Sequence, residues 1–137
     1  MRAKLRENFY LTSIGAAILD FGSTIIVTLS HGRFAEFNPI AQALGFPGTI
    51  VYGLVMITLV SLALLKWGLS WAERKEKEVF VTDLIAIEVS IDGIFAFLHN
   101  YGFVSLVHSY QDFYILIGTS FGFATLVSSI INYRLLL

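Results

Sequence analysis

Apolar positions gather in four long stretches, Asn8 to Ser30, Thr49 to Trp71, Phe80 to about Leu98, and Asp112 to about Tyr133. Each is close to the roughly 20 residues a helix needs to cross a bilayer. The pattern predicts an all-α integral membrane protein, a four-span helical bundle forming one domain over residues 1–137. The first run follows Met-Arg-Ala-Lys-Leu-Arg, the position of a secretory signal. It is too long for a typical signal core, contains Asp20 and lacks a small-residue exit, so it reads as a retained span. The connection Ala72 to Val79, AERKEKEV, is short and charged, which predicts a tight aqueous turn between antiparallel spans.

Both prolines fall between spans one and two, in HGRFAEFNPIAQALGFPG. Asn38 before Pro39 is a helix-start signal: the Asn side chain can cap orphan N–H groups, and Pro at the first helical position lacks the donor that would be unpaired anyway. Gly45 supplies a stop. A short interfacial or re-entrant helix, Pro39 to Leu44, is therefore expected after span one.

Composition supports the membrane reading. The chain is 56% apolar and 14% charged, with a mean hydropathy of +0.76, whereas soluble domains carry about 25% charged residues. A net charge of -1 argues against a nucleic-acid partner, and the absence of cysteine removes disulfides, thiolate metal sites and thiol nucleophiles. Arg2, Lys4, Arg6, Arg74, Lys75, Lys77 and Arg134 fall on one side of a four-span arrangement and only Arg33 on the other. By the positive-inside rule, both termini of this multi-pass protein are expected in the cytoplasm. Trp67 and Trp71 would close the second span at that interface, with Lys66 snorkelling toward it or pairing with Glu88.

Ionisable groups in mid-span are expensive and mark functional sites by default. Asp20, Glu88 and Asp92 lie at overlapping depths, about 14 to 20 Å along their helices. Glu88 and Asp92 share a face of span three, to which His99 returns; Ser13, Asp20, Thr24 and His31 stripe span one. Asp20 and His31 are separated by about 16 Å of helix rise and Asp92 and His99 by about 10 Å, so neither pair can hold one ion. Two layers are expected. An inner one of Asp20, Glu88 and Asp92 suits a hard cation or protons. An outer one of His31, Glu36, Asn38, His99 and His108 suits a metal ion through imidazole and carboxylate, although no fixed metal-binding spacing occurs. The alternative for the acids is polar glue within the bundle, and for the histidines interfacial hydrogen bonding.

Span four carries a small-residue stripe, Gly118, Gly122, Thr125 and Ser129, suited to close helix packing or to a homo-oligomer or membrane partner. Phosphate-binding glycine loops and the G-x-S-x-G elbow are absent from the sequence.

The string Asp20-Phe-Gly-Ser23-Thr24, followed by Gly32-Arg-Phe-Ala-Glu36-Phe-Asn38-Pro39, resembles the D-x-x-[ST]-T and G-x-x-x-E-x-N-P pattern of an uncharacterised family of small archaeal and bacterial integral membrane proteins. The resemblance covers roughly Phe9 to Asn100, with Lys66 late in the second span and Asn100 ending the third. It implies a three-span core with no activity to carry over, and does not include Glu88, Asp92 or the fourth span. Ligand-binding candidates are thus Asp20, Thr24, Glu36, Asn38, Glu88, Asp92 and Asn100, in a polar, outward-facing cavity for a cation, proton or small solute in transport or sensing. Two alternatives stay open: a membrane-embedded metal-dependent hydrolase of a lipid or lipid-linked substrate, using the outer histidines and Glu36, and a non-enzymatic accessory subunit.

Overall fold

A computed structural model of the chain describes residues 3–31, 39–102 and 109–133. These residues are helical almost throughout, with no strand among them. In chain order they form α1 (Ala3–His31), α2 (Pro39–Ser61), a π-helical stretch (Leu62–Gly68), α3 (Leu69–Glu73), α4 (Val79–Asn100) and α5 (Tyr110–Ile131). Three segments are long and apolar enough to cross a membrane: α1, the run from α2 through α3, and α5. The α4 helix matches α5 in length, at 22 residues, but carries Asp83, Glu88 and Asp92.

The helix boundaries follow local chemistry. Pro39 opens α2, and Gly45 breaks it with φ 69 and ψ 179, a backbone conformation essentially restricted to glycine. A helical piece thus runs from Pro39 to the break at Gly45, and Asn38, the expected cap, lies outside the described residues. Beyond the break Pro47 enters the longer segment, and Thr49 ties the two pieces together. Its Oγ1 lies 3.0 Å from the Ala41 carbonyl oxygen and 2.8 Å from that of Gly45. Between α3 and α4 the charged turn closes through the Glu76 N–H, which donates to the Trp71 carbonyl at 2.9 Å, with Lys75 at φ 57. Ser109 caps α5 by accepting the Asp112 N–H at 3.2 Å.

The distribution of side chains is inverted relative to a water-soluble protein. Leu11, Ile18, Leu19, Leu54, Leu59, Ile115, Phe123 and Ile130 are exposed, whereas Arg6, Ser13, Ser23, Thr82, Asp83, Ser120, Ser128 and Asn132 are buried. A lipid environment rewards this arrangement, because hydrocarbon tails solvate leucine as well as a protein core does and leave polar groups to find each other. Exposed hydroxyls on the outer faces satisfy themselves within their own helix: Thr12, Thr58 and Thr119 each donate to the carbonyl four residues earlier.

The centre of the bundle is the parallel pair α1 and α4. Arg6 meets Asp83, Ser13 meets Ser90 and Ser23 meets Asn100, each pair separated by 77 positions. The same offset brings Gly93 against Ala16, where an added Cβ would lie 2.5 Å from the Ala16 carbonyl oxygen. The two helices thus stay in register over about 25 Å of rise. Within each, these contacts recur at heptad spacing, the periodicity of a left-handed helix pair, but the seam is built from small and polar residues instead of leucine. The α5 helix packs on α4, α2 packs on α1, and the π-helical stretch packs on both α1 and α4. There Leu64 joins Tyr10 and Ala86 in the largest apolar cluster of buried residues.

Candidate functional site

Three polar centres lie along α4. The first is at the end where α1 begins and α5 finishes. Arg6 donates from Nε to Asp83 Oδ1 at 3.0 Å and from Nη2 to Asp83 Oδ2 at 2.9 Å, with Arg6 4% and Asp83 0% exposed. Tyr10 donates its hydroxyl to Asp83 Oδ1 at 2.7 Å, and Asn132 Nδ2 donates to Asp83 Oδ2 at 2.9 Å. Asp83 thus accepts four hydrogen bonds from three side chains, which is what a buried carboxylate requires. Asn132 also accepts from Arg6 and donates to the Ser128 carbonyl, anchoring the end of α5.

Sequence reasoning placed Arg6 among the interfacial charges that set orientation and passed over Asp83, Tyr10 and Asn132. A signal was present. Arg6 stands near the start of the first apolar helix and Asp83 near the start of another of the same direction, so the two opposite charges share a depth.

The second centre lies between α4 and α5. Ser120 Oγ is 2.7 Å from Glu88 Oε1 and 3.2 Å from Asp92 Oδ1, and 3.0 Å from its own helix carbonyl at Ile117. One hydroxyl carries one proton and cannot serve both carboxylates at once. Glu88 Oε2 is buried with no hydrogen-bond partner among the described residues.

The third is a cavity of about 300 Å³ lined by α1, α2 and α4. Asp20 and Asp92 both line it, from the two parallel helices, together with Thr24, Thr49 and Tyr52. At its far end Asn100 Nδ2 donates to Ser23 Oγ at 2.8 Å and Thr24 Oγ1 at 3.1 Å, linking the end of α4 to α1.

The inner carboxylate layer expected from depth arithmetic is therefore divided. Asp20 and Asp92 line one cavity, Asp92 also shares Ser120 on α5 with Glu88, and Glu88 is not part of the cavity wall. Thr24 lines the cavity, and Asn100 reaches it only through its hydrogen bond to Thr24. Of the outer layer, Glu36, Asn38 and His108 lie outside the described residues, as does the side chain of His31. His99 is described; its Nδ1 is buried with no hydrogen-bond partner among the described residues. Among the described residues no three histidine, aspartate or glutamate side chains converge as a metal site would require. Lys66 is exposed on the π-helical stretch. Gly118 and Gly122 have nothing within 4 Å of an added Cβ among the described residues, so these two glycines of the stripe make no close helix contact within the described bundle.

The chain matches no family model, no curated protein and no solved structure.

Proposed function

We propose that this is a four-span membrane protein, both termini cytoplasmic, whose cavity between α1, α2 and α4 opens outward and binds a cation, proton or small polar solute in transport or sensing. The observation that carries the reading is the presence of Asp20 and Asp92 in the wall of one cavity, contributed by two parallel helices past their midpoints. Two acids facing a shared space attract positive charge, and low-dielectric walls strengthen that attraction. For α4 as a fourth span, support comes from its surroundings. It packs against α1 and α5, and Asp83 is compensated by Arg6, Tyr10 and Asn132. The proposed family likeness draws support from the meeting of Ser23 and Thr24 with Asn100, which are distant parts of the resembled pattern.

The test is thermal unfolding of the purified chain in nanodiscs over a range of pH and in sodium, potassium, magnesium and calcium salts. A cation or proton ligand raises the unfolding midpoint of the unaltered chain. Asp20→Asn and Asp92→Asn remain folded and lose that response. Unfolded, polydisperse variants together with an unresponsive parent would identify the acids as structural glue. Flux measured in liposomes then separates transport from sensing.

A second reading is a subunit that docks another membrane helix, favoured by the open faces of Gly118 and Gly122 on α5. Cross-linking of single-cysteine variants at Thr119 or Phe123 in native membranes tests it, and a uniformly monomeric, uncaptured chain removes its support.

A further inference from the structure

We infer that Glu88 and Asp92 hold a single proton between them beside Ser120, and that this pair is the proton-binding site of the chain. The inference rests on the cavity reading above, since Asp92 belongs to the cavity wall, and of the ligand classes named there it selects the proton.

The hydrogen bonding at this centre is one donor short. Ser120 Oγ lies within reach of three acceptors, Glu88 Oε1 at 2.7 Å, Asp92 Oδ1 at 3.2 Å and the Ile117 carbonyl oxygen at 3.0 Å, and its one proton serves one of them at a time. Glu88 Oε2 is shut off from solvent and has no partner among the described residues. A buried carboxylate oxygen left in that state is costly, and a proton on the pair removes the cost. The two carboxyl groups also lie within hydrogen-bonding reach of each other. Two ionised carboxylates repel at such a separation, whereas one shared proton turns the contact into a charge-assisted O–H···O bond.

The charges around the pair lead to the same conclusion. The ion pairs among the described residues join Arg6 to Asp83 and Arg74 to Glu76, so no basic side chain there neutralises Glu88 or Asp92. Lys66 on the π-helical stretch is exposed, and His99 stands about two turns further along α4. From α5 the pair receives the neutral Ser120 hydroxyl, and the titratable groups that α1 and α2 bring to the cavity wall beside Asp92 are Asp20 and Tyr52, neither of them a base. Among the described residues no third carboxylate or imidazole joins the pair to hold a metal ion. A proton needs no such cluster, because it cancels one charge and supplies the missing donor together. Asp92 reaches both the cavity and Ser120, while Glu88 reaches Ser120 and not the cavity wall. The proton therefore arrives at Asp92, and Glu88 is the partner sealed behind it.

The test is infrared difference spectroscopy of the full-length chain between neutral and alkaline pH, in H2O and D2O, in a maltoside detergent that carries no carbonyl group. The expected neutral-pH spectrum contains the C=O band of about one protonated carboxyl per chain, shifted in D2O. Glu88→Gln and Asp92→Asn each remove the band, because the amide N–H replaces the shared proton as donor and the remaining acid ionises. Asp20→Asn leaves it in place. Ser120→Ala keeps the band and shifts its frequency, because the protonated carboxyl loses a hydrogen-bonded neighbour. A parent chain without the band overturns the inference, as does a band unchanged in Ser120→Ala, and these two spectra decide the matter even if the amide variants fail to fold. A band that survives Glu88→Gln and disappears in Asp20→Asn moves the proton to Asp20, which overturns the pair and leaves the cavity reading standing. No band, with a cation response in the unfolding experiment above, does the same; no band and no response overturns both.

Discussion

Arg6 and Asp83 face each other across the parallel helices α1 and α4 through two hydrogen bonds of 2.9 and 3.0 Å, one from each of two guanidinium nitrogens to each carboxylate oxygen. The planar fork of arginine matches a carboxylate in this way and lysine could not. The pair fixes the rotation of each helix as well as their separation, because a two-point contact tolerates little twist. Above it, the constant offset of 77 positions carries the same rotation through Ser13–Ser90 to Ser23–Asn100. The alignment that puts Asp20 and Asp92 on one cavity is thus set in part about 20 Å of α1 away, at Arg6.

Removing one member of a buried pair strands the other. Arg6→Met should destabilise the folded bundle by about 3 to 5 kcal/mol, read as a lowered midpoint in a detergent-unfolding titration. Arg6→Lys should recover only part of the loss, since one ammonium cannot reproduce the two-nitrogen contact. A pair this buried is little screened, so the difference between Arg6→Met and the parent should hardly change between low and high salt. A loss that vanished in high salt would show the pair to be exposed.

Two sets of glycines should respond in opposite ways. Gly93→Val places side-chain atoms where the Ala16 backbone already lies and should destabilise the chain by about 1 to 3 kcal/mol. Gly118→Val and Gly122→Val meet open space and should leave the unfolding midpoint of the isolated chain unchanged or slightly raised. Circular dichroism melts of the three variants make the comparison, and a larger loss at Gly122 than at Gly93 would contradict the packing described.

The break in α2 depends on a conformation that only glycine adopts easily. Gly45→Ala should destabilise by about 1 to 3 kcal/mol. Thr49→Val removes the hydroxyl that spans the break and should lose about 1 kcal/mol. Together the two should be less than additive, because both act on the same joint. A double-mutant cycle measures this, and full additivity would mean the two residues act on separate features.

The four crossings proposed above would place Lys4 and Lys77 on one side of the membrane and Gln111 on the other. Single-cysteine variants at these three exposed positions should therefore label with an impermeant maleimide in two classes, Lys4→Cys with Lys77→Cys and Gln111→Cys apart. Labelling of all three from one side would exclude α4 and α5 as a pair of crossings.

Much of the helical framework was legible along the chain. The apolar runs, the charged turn at Arg74 to Glu78, the start at Pro39 and the stop at Gly45 are all local: each depends on the hydropathy of a segment or on the backbone preference of one residue, and each appears where the pattern placed it. The shared depth of Asp20 and Asp92 was legible too, since rise per residue is a constant of the helix. Depth, however, says nothing of azimuth. Only the packed bundle decided that Asp92 lines the cavity of Asp20 as well as reaching Ser120, whereas Glu88, one turn earlier, reaches Ser120 and not the cavity, because that choice depends on how α4 is rotated between two neighbours. It likewise decided that Arg6 is a buried partner of Asp83 instead of a solvated interfacial charge. The glycine stripe of α5 stayed outside, while the unremarked Gly93 became the closest approach of α1 and α4. Small residues permit contact, but which helix arrives there is fixed by side chains distant in sequence whose polar groups must find one another where water is absent.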